Sequence, residues 1–171
     1  MKNSILRSRY SPFIVGFGFY LFSLSALRVF LYFTEISGHI PLSTTAGIFS
    51  IGVWKDFYAA ILLFSPLLIL WTFLPENFFQ LKPIKPIFLS AAFLFFSLQL
   101  FLLKVEAEFF NEFNARFNTV AVDYLIYPQE VVINIWQSYS VILIVSVCGA
   151  GGLLTVFLLR KWIIGSFDAI F

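Results

Sequence analysis

Charged residues are scarce in this sequence. Lys, Arg, Asp and Glu make up only 12% of its 171 residues, whereas soluble domains carry about 25%. Apolar residues make up 60%, aromatic residues 20%, and the mean hydropathy is +0.93. Such a composition cannot supply the polar surface that a soluble domain needs, so it excludes that class and predicts an integral membrane protein.

Cysteine and histidine are almost absent. Cys148 is the only cysteine, which excludes a disulfide framework within the chain and a zinc site built on cysteines. His39 is the only histidine and has no second ligand near it in the sequence, so it is interpreted as an ordinary loop residue. The sequence contains no nucleophile triad and no glycine-rich phosphate loop. The net charge is only +2 and the basic residues are scattered, which argues against nucleic-acid binding.

Four apolar stretches are long enough to cross a bilayer, which takes about 20 helical residues. They cover residues 13–33, 57–74, 87–103 and 139–159. The first follows the basic start "MKNSILRSRY", but no small-residue cleavage site comes after it, so an uncleaved helix is predicted. Pro66 lies within the second stretch, where the missing backbone donor predicts a kink.

Basic residues are concentrated on one side of the predicted membrane. They are Lys2, Arg7 and Arg9 before the first span, Lys82 and Lys85 between the second and third, and Arg160 and Lys161 after the fourth. The opposite segments, 35–56 and 104–138, hold only Lys55, Lys104 and Arg116. The positive-inside rule therefore predicts a multi-pass protein with a cytoplasmic N-terminus and with both of these segments outside.

Small residues in the fourth span predict a packing face. Ser146 with Ala150, and Cys148 with Gly152, have the small-xxx-small spacing that lets two helix backbones approach closely. Because small residues are common in membrane helices, this pattern indicates helix packing and carries no chemistry.

The outer segment 104–138 is the most polar part of the chain. In "KVEAEFFNEFNARFN" the apolar residues recur every four positions from Val105 to Phe117, and polar side chains occupy the other face. The pattern predicts an amphipathic juxtamembrane helix on the outer face, with its phenylalanines in the acyl boundary. Glu112 and Arg116 have the i, i+4 spacing of a helical ion pair, worth about 0.2–0.5 kcal/mol.

The stretch that follows this predicted helix places ionisable groups in an apolar run. Asp123 and Tyr124 lie within "TVAVDYLIYP", where each needs a partner or water, and Arg116 is the obvious partner. Pro128 is predicted to begin another helix, whose first turn contains Glu130, an acidic residue favourable at the positive helix end. The simpler interpretation is a solvated outer cap whose charges pair with one another.

Arg28 is the one basic residue inside a predicted span. An ion pair with Glu35 or Asp56 would neutralise it, and this is the favoured interpretation. The alternative is a clamp for the phosphate of an outer-leaflet lipid, because a guanidinium matches phosphate geometry.

The same outer segment carries a family resemblance. The string "EAEFFNEFNARFNTVAVDYLIYPQEVVINIWQSYS" resembles the juxtamembrane stretch of bacterial lipoteichoic acid synthase-like proteins, which are membrane phosphoglycerol transferases of the sulfatase (alkaline phosphatase-like) superfamily. "GVWKDFYAAILLFSPLLIL" is similar to that family's second span, with Gly52, Asp56 and Pro66 in the same relation, and "LPENFF" resembles the loop after it. Pro128 departs from the family pattern, which usually has Thr there, and Ser140 stands where Pro is usual.

The resemblance implies a protein of the bacterial cytoplasmic membrane with a large extracytoplasmic catalytic domain. In this family that domain uses a threonine nucleophile and a divalent metal, usually Mn²⁺, to move phosphoglycerol from phosphatidylglycerol to an acceptor. Residues 1–171 contain no such catalytic residues and are expected to be the transmembrane domain alone, with no cofactor of its own. A catalytic domain on the outer side would require a fifth crossing, for which "WIIGSFDAIF" is too short, so the chain is expected to be an N-terminal part or a split product.

On this interpretation the polar outer segment is a platform beneath the catalytic domain. Arg116 and Asn118 are predicted to contact lipid phosphate or that domain, and Glu112, Asp123 and Tyr124 are predicted to orient them by hydrogen bonds. The expected partners are membrane lipids, phosphatidylglycerol among them, and the catalytic domain or a separate catalytic chain.

Two other functions stay open from the sequence. The first is a small stand-alone membrane protein that carries a lipid or another solute, with Arg28 and Asp56 on its path. The second is a structural subunit that holds a separately encoded catalytic chain through the outer segment.

Overall fold

The computed structural model describes residues 8–35, 41–79, 81–117, 122, 126, 128–165 and 167. The helices of this part of the chain are α1 (Ser11–Glu35), α2 (Leu42–Phe73), α3 (Glu76–Phe79), α4 (Ile84–Phe113), α5 (Pro128–Ser138) and α6 (Val141–Ile164). Four of them, α1, α2, α4 and α6, are long and apolar enough to cross a membrane. For the described residues, the predicted all-α architecture with four helices able to span a membrane is therefore confirmed.

The helices extend beyond the apolar stretches that predicted them. α2 begins at Leu42 instead of residue 57, and α4 continues to Phe113 instead of residue 103. Hydropathy marks only the part suited to hydrocarbon, whereas helical hydrogen bonding continues through polar residues once the helix is formed. α2 also continues through Pro66, and the kink expected there stays a prediction.

The predicted juxtamembrane helix is continuous with the third span. Residues 105–113 form the last turns of α4, and Asn114 ends the helix in the left-handed conformation, with φ of 50°. The prediction that Pro128 begins a helix is confirmed by α5, whose first turn contains Glu130.

α4 and α6 form the most extensive helix pair, and α1 contacts α2, α4 and α6. The close approach of α4 and α6 depends on Gly152, because a Cβ there would lie 2.0 Å from Ser97 Oγ and 2.9 Å from the Ser97 backbone nitrogen. Cys148 is buried one turn earlier, so the packing face predicted from Cys148 and Gly152 is confirmed. Ser146 and Ala150, the other predicted small pair, are exposed.

Arg9 joins helix ends at one end of the bundle. Its Nη2 donates to the carbonyls of Trp71 (2.5 Å) and Leu74 (2.6 Å) at the end of α2, and Trp71 Nε1 donates back to the Arg9 carbonyl at 3.0 Å. A guanidinium is favourable there because helical carbonyls at a C-terminus are unpaired and partly negative. Ser11 Oγ also donates to the carbonyl of Trp162, at 2.8 Å, which brings the end of α6 to the same place.

The chain direction divides the bundle into two ends. We call the end with the start of α1 and the ends of α2 and α6 the basic pole; its described basic residues are Arg9, Lys82, Lys85, Arg160 and Lys161. The opposite end, where α1 and α4 finish and α6 begins, is the ionic pole, because it carries charges of both signs.

Candidate functional site

Four charged side chains from separate parts of the chain meet toward the ionic pole. Arg28 Nη2 donates to Asp56 Oδ2 at 2.5 Å, Arg116 Nε donates to Glu106 Oε1 at 2.6 Å, and Arg116 Nη1 lies 3.6 Å from Asp56 Oδ1. Arg28 lies on α1, Asp56 on α2, Glu106 on α4 and Arg116 just after α4. These four residues, the ionic cluster, are formally neutral together and connect three of the four spanning helices.

Three members of the ionic cluster are buried. Arg28, Asp56 and Glu106 are 5%, 7% and 6% exposed, whereas the Arg116 side chain is 31% exposed. Removing charges from water is costly, so buried charges persist only when each has an opposite charge and hydrogen bonds. Arg116 is therefore the member of the cluster that solvent or a ligand can contact.

Gly52 makes room for Arg28 against α2. A Cβ at residue 52 would lie 2.4 Å from Arg28 Nε and 2.5 Å from Arg28 Cζ, closer than real Cβ atoms approach. Since Gly52 precedes Asp56 by one helical turn, the glycine provides the space and the aspartate provides the charge. Together these two residues of α2 form a slot for a guanidinium.

One donor in this slot has no partner. Arg28 Nη1 is buried and makes no hydrogen bond to any residue of the described chain. Buried polar groups are nearly always paired, so this N–H group is a position where a water or a ligand oxygen would bind.

Arg116 is held in its charged form. Burial on its own would lower the pKa of Arg116, but the hydrogen bond to Glu106 and the negative charges of Glu106 and Asp56 raise it above its ordinary value. A permanently charged, partly exposed guanidinium can form paired hydrogen bonds with a phosphate or a carboxylate.

A smaller polar contact lies deeper in the bundle. Gln99 is 5% exposed, and its Nε2 donates to Ser23 Oγ at 3.2 Å. Ser23 Oγ in turn donates to the Tyr20 carbonyl at 2.9 Å. This chain of hydrogen bonds joins α4 to α1 and satisfies a buried amide, so it is a packing contact.

The structure corrects one predicted ion pair and confirms another. Arg28 pairs with Asp56, one of its two expected partners. The predicted pair of Glu112 with Arg116 is wrong: Arg116 contacts Glu106 and Asp56, and Glu112 accepts a hydrogen bond from Tyr139 Oη at 2.6 Å. The physical reason is that α4 ends at Phe113, so Arg116 does not lie one helical turn above Glu112.

Several predicted site residues lie outside the described part of the chain. They are Asn118, Asp123 and Tyr124, together with His39. Their proposed contacts with lipid phosphate, a catalytic domain or Arg116 therefore stay predictions.

Sequence reasoning missed Glu106 as a site residue, since it assigned this side chain to the polar face of a helix. A signal was present. The buried residues of α4 include Phe96, Gln99, Glu106 and Phe109, and the spacing from Gln99 to Glu106 is one heptad. Glu106 thus lies on the face that packs into the bundle, where it needs a cation.

Comparisons of the chain with protein-family models, with curated proteins and with solved structures find no match. The resemblance to lipoteichoic acid synthase-like proteins therefore stays a prediction. Within the described residues no group of three or more His, Cys, Asp or Glu side chains could hold a metal ion. The placement of the family's Mn²⁺ in a separate catalytic domain also stays a prediction.

Proposed function

We propose that this chain is the membrane-anchoring domain of a phosphoglycerol transferase similar to lipoteichoic acid synthase. The chain itself is non-catalytic, and the catalytic unit with its divalent metal is a further domain or a separate chain. Support comes from the quoted resemblance in the second span and the outer segment, together with four helices able to cross a membrane.

The observation that carries the proposal is the ionic cluster. Gly52 and Asp56 are two of the residues on which the resemblance depends, and in this chain they form the slot that holds Arg28. The resembling residues thus fix the relative positions of α1 and α2 near the ionic pole. Arg116, which belongs to the other resembling string, joins α4 to the same slot.

Such a cluster suits a platform beneath an enzyme that acts on lipid headgroups. Three buried members hold the helices in a fixed arrangement, while the partly exposed Arg116 is charged and can reach a phosphate. In the proposal Arg116 and Asn118 contact lipid phosphate or the catalytic unit, and Asp123 and Tyr124 assist them. Glu112 accepts a hydrogen bond from Tyr139 and thereby positions the junction between α5 and α6.

The proposed orientation places the basic pole in the cytoplasm of a bacterial cell and the ionic pole outside the cytoplasmic membrane. The positive-inside rule favours this arrangement, because five described basic residues lie at the basic pole. In the proposal the amphipathic juxtamembrane helix is the end of α4, residues 105–113, and α5 lies beside it with Val132, Ile133 and Trp136 all more than half exposed. These side chains suit the boundary between headgroups and acyl chains.

The proposal is tested by isolating the protein from its native membranes with an antibody against residues 104–138. The isolate is assayed for transfer of phosphoglycerol from phosphatidylglycerol, a reaction that leaves diacylglycerol, with added Mn²⁺ and with a chelator. We expect this activity to be enriched and to be lost on chelation. Isolation of the intact chain without transferase activity would overturn the proposal.

A lipid or solute carrier is the second candidate, and the buried pair of Arg28 and Asp56 is the observation in its favour. Transport by the purified chain in liposomes, abolished by Asp56→Asn, would support the carrier.

A scaffold for a separate catalytic chain is distinguished from a single-chain anchor by crosslinking. Crosslinks from the outer segment of a scaffold would reach another polypeptide.

A further inference from the structure

A cavity of about 320 Å³ lies toward the ionic pole, apart from the ionic cluster. Its walls are the outer end of α4, α5 and the first turn of α6. Glu108, which lines the cavity, and Glu106, which belongs to the ionic cluster, are two residues apart on α4 and so point to different sides of that helix. The volume is at the lower end of the range for small-molecule sites, roughly 300–1,000 Å³.

One wall of the cavity is an apolar stripe. Phe101, Val105, Phe109 and Phe113 follow one another along α4 at intervals of four residues. Val131 and Ile135 of α5 and Val141 and Ile144 of α6 also line the cavity. A slot with this lining and volume suits part of one acyl chain, because contact with apolar side chains is what distinguishes such a chain from water.

A charged stripe runs beside the apolar one. Lys104, Glu108 and Glu112 line the cavity at successive turns of α4, spaced by roughly 5.4 Å per turn along the helix axis. Lys104 lies deepest and is ion-paired with Glu108, and their side chains are 47% and 28% exposed. The cation is therefore on the side of the membrane interior, and both carboxylates are nearer the ionic pole.

This order of charges is complementary to a zwitterionic headgroup. In a phospholipid the phosphate is attached next to the acyl chains, and an amine on the headgroup lies farther out. A phosphate near Lys104 would place such an amine near Glu108 and Glu112. An anionic headgroup without an amine would bring no positive charge to these two carboxylates.

We propose that this cavity binds a phospholipid whose headgroup combines a phosphate with a primary amine, its acyl chain in the apolar slot. Lys104 contacts the phosphate, and Glu108 and Glu112 accept hydrogen bonds from the ammonium group. The hydroxyl of Ser138 and the amide of Asn134, which are hydrogen-bonded to each other at 3.1 Å, provide the facing polar wall. The inference rests on the cavity alone and does not depend on the proposed function.

Photocrosslinking tests this site with the intact chain in nanodiscs. The probes are phosphatidylethanolamine and phosphatidylglycerol with the same diazirine-bearing acyl chain, and the crosslinked residues are mapped by mass spectrometry. We expect the ethanolamine lipid to label the cavity walls about tenfold more than the glycerol lipid, a ratio typical of one well-placed charge contact. Equal labelling by the two lipids would overturn the assignment of the headgroup.

Two substitutions at neighbouring residues distinguish lipid binding in the cavity from lipid binding on the outer surface of α5. Val131→Phe fills the cavity and is expected to lower labelling about tenfold. Val132→Phe adds the same group at a position that is 61% exposed and does not line the cavity, so labelling should persist. Unchanged labelling of Val131→Phe would overturn the site.

Neutral polar substitutions test the charges even if Val131→Phe fails to fold. Glu108→Gln and Lys104→Gln should each remove most of the preference for the ethanolamine lipid while the melting temperature in detergent stays near that of the native chain. Retention of the full preference in both variants would contradict the proposed headgroup contacts. None of these measurements needs enzymatic activity, so their outcome is independent of the transferase proposal.

Discussion

Arg28 on α1 and Asp56 on α2 form a buried ion pair, with 2.5 Å between Arg28 Nη2 and Asp56 Oδ2. Both side chains are less than a tenth exposed, and the second oxygen of Asp56 lies 3.6 Å from Arg116. Asp56 therefore has two positive neighbours, Arg28 and Arg116. Arg28, in contrast, pairs with only one described carboxylate, that of Asp56. This asymmetry determines which substitution costs more stability.

Removal of either partner of this pair should destabilise the bundle. Loss of one member of a buried ion pair typically costs about 3–5 kcal/mol, because the remaining charge is left buried without compensation. We expect Asp56→Leu to lower the free energy of unfolding more than Arg28→Met, since Asp56 keeps Arg116 as a neighbour when Arg28 is replaced. Unfolding in detergent, followed by circular dichroism, measures the difference.

The double variant Arg28→Met/Asp56→Leu is the control for this prediction. It removes both charges and leaves the pair of Arg116 with Glu106 intact, so it should recover most of the lost stability. If the two losses were simply additive in the double variant, the pair would not be the unit that the structure indicates.

Gly52→Ala should disturb the same pair without changing any charge. A methyl group at residue 52 would lie 2.4 Å from Arg28 Nε, so Arg28 must leave its slot or the helices must separate. Overpacking of this kind costs about 1–3 kcal/mol. Gly47→Ala is the matched control on α2, because no atom lies within 4 Å of a Cβ there. A melting temperature lowered by both substitutions equally would contradict the slot.

The number of spans could be predicted from the sequence, and the partner of Arg28 could be narrowed to Glu35 or Asp56, because long apolar runs and an intramembrane charge are local signals. Asp56 lies near the start of a predicted span, so it was a natural partner for Arg28 across a helix pair. The contact of Arg116 with Glu106 could not be predicted from helical spacing. The contact depends on the left-handed conformation of Asn114. This residue directly follows Phe113, the last residue of α4, and changes the direction of the chain. The cavity also depends on tertiary packing, since its walls come from three helices.

Tyr139 should titrate at unusually high pH. The hydrogen bond that its hydroxyl donates to Glu112, together with burial and the negative charges of Glu112 and Glu108, raises the pKa of Tyr139 to about 12. The stabilising contact is therefore present in full below the ordinary pKa of 10.0 and is lost as the pH rises through about 12. Glu112→Gln should lower this pKa toward 10.0, as followed by tyrosinate absorbance.

The titration is assigned by difference from Tyr139→Phe, which removes the group itself. Glu108→Gln should lower the pKa of Tyr139 much less than Glu112→Gln, because Glu108 acts only through its charge. Equal effects of the two substitutions would contradict the direct hydrogen bond.

The proposed orientation predicts which residues are accessible from outside the cell. In a Cys148→Ser background, Gln137→Cys lies at the ionic pole and Lys82→Cys at the basic pole, and both positions are exposed. A membrane-impermeant maleimide should label Gln137→Cys in intact cells and Lys82→Cys only after permeabilisation. Labelling in the reverse order would place the ionic cluster on the cytoplasmic side and would exclude action on outer-leaflet lipid.

The most direct test of the proposed function is phosphatidylglycerol turnover in cells whose own copy of the gene has been deleted. Native chain, Arg116→Ala or Arg160→Ala is restored at matched protein amount, and the conversion of labelled phosphatidylglycerol to diacylglycerol is measured. Arg160, which lies over the Phe157 ring at the basic pole, is the control for loss of an arginine. The proposal predicts normal turnover with Arg160→Ala and a decrease of about tenfold with Arg116→Ala, the size expected from loss of a charge-assisted hydrogen bond. Normal turnover and normal folding with Arg116→Ala would contradict it.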